Sequence, residues 1–246
     1  MQRINHKGFT LIELMLSMTF VSLLLVAIAM LTIQISNTYT KGITLRDVNQ
    51  AGLSISSDLQ RSINAAASFD AEAGGNSYEV QPTGGRLCLG KYSYVWNNGD
   101  KINQVSDSSP LSNKFVLQDG SQSTQIIRFV KVADQGKTLC QPTNQDAIKN
   151  DGAAAVYPDI TLDQKATEML SAGDRDLAIH SFKILSGSQE SPIYAISIVI
   201  GTNGKDEITG TDSDQCKPPA DIAGAQDYCS INRFDIIARV GSKEGN

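Results

Sequence analysis

Between Phe9 and Ile33 lie 25 residues in which Glu13 is the only charged side chain. As a helix at about 1.5 Å per residue this run is roughly 37 Å long, more than the roughly 30 Å hydrocarbon core of a bilayer. A segment of that kind needs lipid, or other helices like itself, to cover it. Arg3 and Lys7 stand just before it, which predicts a cytoplasmic N-terminus and an exported remainder. The chain has 246 residues, enough for one large domain or a smaller domain plus an extended element.

The helical pattern does not stop where the apolar run stops. Leu45, Val48, Gly52, Ile55, Leu59, Ile63 and Ala66 recur at spacings of three or four, the signature of a helix with one narrow apolar stripe. Arg46, Asp47, Asp58 and Arg61 take other faces, and no proline occurs before Pro82. A nearly continuous helix from about Thr10 to Ala67 is expected, close to 90 Å if unbroken. Gly42 and Gly52 each weaken it by roughly 1 kcal/mol relative to alanine. Its second half needs a domain packed along the stripe.

"DAEAGGNS", residues 70–77, ends the helical pattern. Strands are expected at Leu87–Trp96, Lys114–Gln118, Gln125–Val132, Leu177–Leu185, Tyr194–Ile200 and Phe234–Val240, on their β-branched and aromatic content. "SGSQESP" reads as the loop of an antiparallel hairpin. "TLDQKATEML" reads as a short helix capped by Asp163 or Thr161. "GTNGKDEITGTDSDQCKPP" reads as a long surface loop. The fold class is α+β: a long N-terminal α-helix, transmembrane then amphipathic, packed on a mostly antiparallel β-sheet globular domain.

Four cysteines, Cys88, Cys140, Cys216 and Cys229, all fall in the part expected to be exported. Without a C-x-x-C pair or clustered histidines, a zinc site is a poor account of them, and disulfides in an oxidising compartment a better one. Three pairings are open. Spacing favours Cys216–Cys229, which closes a 12-residue loop holding Pro218 and Pro219, leaving Cys88–Cys140 by default. The net charge of −5 disfavours nucleic-acid binding through a broadly basic surface.

The N-terminal segment admits three readings. A secretory signal peptide has support in the small-x-small "AIA" at Ala27–Ala29, but its apolar core would be too long and would carry an acid. An uncleaved signal anchor explains length and orientation and leaves Glu13 without a role, although a carboxylate costs roughly 2.5–3.5 kcal/mol to place at the centre of a membrane helix. The third reading takes the residues together. "KGFTLIELMLS" sets a short basic leader ending in Gly8, then Phe9, then Glu13 as the fifth residue after Gly8, then an unbroken apolar run. This resembles the class III signal of type IV pilins and of the related type II secretion pseudopilins.

The resemblance covers residues 1–35 by motif, extends to about residue 69 by the long helix, and matches the globular part only in class. It implies a leader at 1–8, a transmembrane and assembly helix at 9–35, its amphipathic half at 36–69, and an extracellular β-rich, pilin-like domain at 70–246. A membrane prepilin peptidase would cut after Gly8 and N-methylate Phe9, so the chain is a substrate of an enzyme rather than an enzyme. Glu13 would neutralise the amine of Phe9 on a neighbouring subunit, a directional pairing in a low-dielectric core. Losing the leader removes Arg3 and Lys7 and leaves 19 basic against 26 acidic side chains, a net −7. The implied partners are other pilin subunits in a homo- or hetero-polymer, the prepilin peptidase, the inner-membrane assembly platform, and the membrane itself before assembly. The implied location is the cytoplasmic membrane as a single-pass protein, then a pilus or pseudopilus at the cell surface. Two departures are visible: no proline lies near Met30, and the chain is longer than most major pilins, which makes it more similar to the larger minor subunits.

Other candidate sites are weaker. Asp206, Glu207, Asp212 and Asp214 form an acidic loop without the spacing of a calcium-binding hand, and a solvated loop is the expectation. "RLCLGKYSYVW" interleaves Arg86 and Lys91 with Tyr92, Tyr94 and Trp96, a combination suited to DNA or a glycan and equally to one buried strand. A tip-located minor pilin binding a surface, a host cell or DNA is the rival class. His180 reads as a core or edge histidine. No catalytic constellation, cofactor motif or metal-ligand set can be assembled.

Overall fold

The computed structural model describes residues 10–71, 77–81, 84–99, 102, 116–118, 124–144, 166–170, 176–186, 192–204, 208–210, 214–217 and 229–241. One helix, α1 (Leu11–Asn64), begins it. Around it come strands β1 (Tyr78–Gln81), β2 (Gly84–Cys88), β3 (Tyr92–Asn97), β4 (Val116–Gln118), β5 (Thr124–Ile126), β6 (Phe129–Ala133), β7 (Ala166–Glu168), β8 (Leu177–Ser186), β9 (Ile193–Thr202), β10 (Ile208–Thr209), β11 (Gln215–Cys216) and β12 (Ile231–Arg239), with a 3-10 turn at Thr138–Cys140. All strand pairing within the sheets is antiparallel. One sheet runs β1-β2-β3-β6-β7, another β12-β9-β8, and β4-β5 and β10-β11 form two small ladders. A single parallel bridge, Asn98 to Ile179, joins the two larger sheets.

The chain divides into two units, Met1–Ile43 and Thr44–Asn246. In the first, the described residues are the opening of α1, and its leucines, isoleucines and methionines are exposed. Its hydroxyls fold back on the helix. Ser17, Thr19, Ser22 and Thr32 donate to the carbonyls of Leu14, Leu16, Met18 and Ile28 at 2.8–2.9 Å. That internal pairing removes the cost of carrying hydroxyls through an apolar medium. Among the described residues α1 is the one helix long and apolar enough to cross a membrane.

In the second unit the remainder of α1 buries Thr44, Val48, Gly52, Ile55, Leu59, Ser62 and Ile63. This is the expected stripe with one correction. Leu45 is 48% exposed, and Thr44 turns inward in its place. Gly52 has a positive role: a Cβ there would sit 2.0 Å from Cζ of Phe234, so the missing side chain lets the β12 ring lie against the helix backbone. The helix ends at Asn64, a turn short of the expected stop, where the Gly241 N–H donates to its carbonyl at 3.0 Å. The core between helix and strands holds Trp96, Tyr94, Phe129, Phe182, Tyr194 and Phe69. Trp96 stacks on Phe182 at 4.3 Å between ring centroids and Phe69 on Tyr194 at 4.1 Å. The Tyr194 hydroxyl also donates to the Phe69 carbonyl at 2.7 Å and accepts from its N–H at 3.0 Å, fixing the chain as it leaves the helix.

The strand expectations hold for β8, β9 and β12 and need correction elsewhere. Leu87–Trp96 is two strands, because Gly90 has φ +96° and reverses the chain between β2 and β3. Gln125–Val132 is likewise split at Ile127–Arg128 into β5 and β6. Residues 166–168, expected to be helical, are strand β7, paired to β6; Thr161 and Asp163 lie outside the described residues. So do Lys114 and most of the loop between β8 and β9.

Candidate functional site

The expected site residues do not converge on one place, and three local constructions account for the described ones. The first is the start of α1. The Thr10 N–H and hydroxyl donate to Glu13 Oε2 at 3.0 and 2.9 Å, and the Glu13 N–H approaches Thr10 Oγ1 at 3.4 Å. This reciprocal exchange is a capping box, in which an N-cap threonine and a glutamate three residues later satisfy each other's N–H groups. The carboxylate also lies where the helix dipole favours negative charge. The sequence signal was the T-x-x-E of "TLIE", which sequence reasoning passed over. Glu13 is exposed, and its second oxygen has no hydrogen-bond partner among the described residues. Gly8 and Phe9 lie outside them.

The second is a polar cluster inside the helix–sheet interface. Lys131 Nζ on β6 lies 2.8 Å from both carboxylate oxygens of Asp58 and 3.2 Å from Ser62 Oγ, both on α1. The Tyr94 hydroxyl reaches the same pair, 2.7 Å from Asp58 Oδ2 and 2.6 Å from Ser62 Oγ. Lys131 also stands over the Tyr92 ring, 4.4 Å from its centroid. The Lys131 and Asp58 side chains keep only 20% and 22% exposure, so the pair is shielded from solvent far more than a surface bridge. Burial drives the Tyr94 hydroxyl well above the ordinary phenol range; Ser62 opposes the shift and the Asp58 carboxylate adds to it. The arrangement fixes helix against sheet. It offers no open face to a substrate.

The third is the corner around the first disulfide, Cys88–Cys140, with 6.0 Å between Cα atoms. Asp134 accepts from Ser93 Oγ, from the N–H and hydroxyl of Thr138, and from the Leu139 N–H. Burial opposes ionisation of Asp134, but these donors outweigh it and hold the carboxyl below its usual range. Arg86 Nη1 donates to the Leu139 carbonyl at 2.7 Å. Lys137 takes φ 59° and sends Nζ to Ser77 Oγ at 2.8 Å; burial pushes its amine below the usual lysine value. Cys216 and Cys229 form the second disulfide, 5.8 Å between Cα atoms. In the loop-entropy account the two bridges are worth about 4 and about 3 kcal/mol respectively, the longer loop more.

The other candidates resolve individually. Arg86, Tyr94 and Trp96 are buried, so "RLCLGKYSYVW" presents no row of aromatic and basic groups to a nucleic acid or glycan. Asp214 accepts from Arg233 Nη2 at 2.8 Å; Asp206, Glu207 and Asp212 lie outside the described residues. Among the described residues no three His, Cys, Asp or Glu side chains gather as a metal site. His180 is buried at a bulge of β8, with Nε2 3.0 Å from the Thr202 carbonyl oxygen. Known protein families, curated proteins and solved structures provide no match to the chain.

Proposed function

We propose that this chain is a subunit of a type IV pilus or pseudopilus-like filament, made as a membrane protein, cut after Gly8, methylated at Phe9, and polymerised through its N-terminal helix. The observation that carries the reading is the pairing of an uncovered apolar helix with one carboxylate at its start. Every described leucine, isoleucine and methionine from Leu11 to Ile35 is exposed, so the isolated chain leaves this surface for lipid or for helices of other subunits. Glu13 satisfies its own helix with one oxygen and keeps the other for a cation. The new α-amine of a neighbouring Phe9 fits that need, and the pairing sets axial register even where desolvation cancels much of its net energy. The second half of α1, buried in a sheet domain stapled by two disulfides, carries the displayed part.

Two substitutions separate this role from simple capping. Glutamine serves in a capping box as glutamate does, but it carries no charge. Glu13→Gln is expected to insert in the membrane and to be lost from purified filaments, as Glu13→Ala is. Wild-type incorporation of Glu13→Gln alongside failure of Glu13→Ala would reduce the acid to a helix cap and remove its inter-subunit role.

A further inference from the structure

Three lysines sit close together around β3 and β6, and their surroundings differ. Lys131 is paired with the Asp58 carboxylate. Lys91 is exposed, with Nζ 5.5 Å from the Tyr92 ring centroid. Lys137 is half-buried, and among the described residues its amine meets a single neutral partner, the buried Ser77 hydroxyl, at 2.8 Å. The charged groups nearest it in the corner are already committed, Asp134 to four donors and Arg86 to the Leu139 carbonyl.

The backbone at Lys137 is unusual as well. It is the one non-glycine with positive φ among the described residues, a conformation that glycine or asparagine adopts with less steric cost. The corner imposes it: the Gly136 N–H donates to the Gly90 carbonyl, the Cys140 N–H to the Lys137 carbonyl, and Cys140 is tied to Cys88. Backbone strain of this kind collects at sites where the side chain has a task. The Lys137 side chain passes Gly90, where an added Cβ would lie 3.7 Å from Cε, so its amine is held rather than free to wander.

We propose that Lys137 is a nucleophilic modification site, an amine positioned by Ser77 to accept an acyl group from a small activated ester or thioester. A half-buried amine without a carboxylate partner is disfavoured as an ammonium, and the neutral amine is the form that attacks. In the step the nitrogen lone pair forms an N–C bond to the acyl carbon. The bond from that carbon to oxygen or sulfur breaks and its electron pair leaves with the ester or thioester group. The proton on nitrogen passes to solvent, and nothing is oxidised or reduced. The product amide is neutral, so one positive charge is lost from the corner beside Cys140.

The test uses the full chain in detergent with a sub-stoichiometric acetyl N-hydroxysuccinimide ester at neutral pH, digestion, and mass spectrometry of the lysine peptides. Lys137 is expected to be acetylated severalfold faster than Lys91 and Lys131 in the folded chain, and the three rates to converge once the chain is unfolded. Lys137→Gly, which suits the same turn, should abolish the fast-reacting equivalent. Acetylation of Lys137 no faster than Lys91, or a fast equivalent that survives in Lys137→Gly, overturns the proposal.

Discussion

The two parts of α1 are continuous in sequence and opposite in chemistry. Up to Ile43 the helix is clad in apolar side chains that face outward; from Thr44 its apolar and small residues face a sheet core. In the first part the described polar groups are satisfied by the helix itself, through backbone bonds from Ser17, Thr19, Ser22 and Thr32 and the Thr10–Glu13 cap. In the second they are satisfied across the interface, through Asp58, Ser62, Gln60 and the carbonyl of Asn64. The difference teaches that one helix can serve two solvents if each stretch settles its polar groups in the manner its surroundings allow.

The largest test of that contrast is truncation of a leucine on each side. Leu59 is 0% exposed and Leu25 is 61% exposed. Leu59→Ala is expected to destabilise the sheet domain by about 2–5 kcal/mol, read from denaturant unfolding followed by the fluorescence of Trp96, the single tryptophan. Leu25→Ala should leave that transition in place and act on assembly. Equal shifts from both would erase the distinction between the two parts.

Alkaline titration probes the second part alone. Burial first, and the charge of Glu79 in addition, push the Tyr78 hydroxyl up to about 12, against the opposing hydrogen bond from the Ile184 backbone. A phenol with a raised folded-state value holds its proton where the unfolded chain has lost it. Stability is therefore fully present below about pH 10 and falls between about 10 and 12, by about 2–3 kcal/mol for this group. Tyr94 is shifted in the same direction. Tyr78→Phe should flatten part of the fall; an unchanged profile in that variant would remove Tyr78 from the account.

Smaller effects are expected at the polar cluster. Asp58→Ala strands the Lys131 ammonium and the Tyr94 hydroxyl in a shielded place, at about 1–3 kcal/mol, with near-additive loss in the Asp58→Ala, Lys131→Ala double variant counting against coupling. The subtlest pair is the two glycines. Gly52→Ala drives a methyl into the Phe234 ring and is expected to cost about 1–3 kcal/mol, whereas Gly42 has nothing within 4 Å of an added Cβ, so Gly42→Ala should strengthen the helix by up to about 1 kcal/mol. Helix content by circular dichroism and unfolding midpoints read both. Opposite signs from two glycines ten residues apart are what the structure requires.

Much of this was legible in the sequence because the helix announces itself twice, by an unbroken apolar run and by a stripe at Val48, Gly52, Ile55, Leu59 and Ile63. Strands β8, β9 and β12 are long and rich in β-branched residues, and they too could be read. The short strands β1, β7, β10 and β11 could not, since two to four residues carry no periodicity and exist only by pairing with a neighbour. Gly52 reads as a defect until Phe234, 182 residues away in the chain, is seen against it. Lys131 and Asp58 likewise look like ordinary surface charges until the sheet folds onto the helix. The cap at Thr10 and Glu13 was local and readable, and the attraction of a more specific role for Glu13 concealed it.

The central claim is that the exposed part of α1 is exposed because it is an assembly element that begins at Phe9. The most direct measurement is the intact mass and N-terminal peptide of the mature chain purified from its native membrane. The account predicts Phe9 as first residue, bearing one methyl group on its amine. A chain beginning at Met30, cut after the Ala27–Ala29 segment, or one retaining Met1 with no processing in filaments, would contradict it.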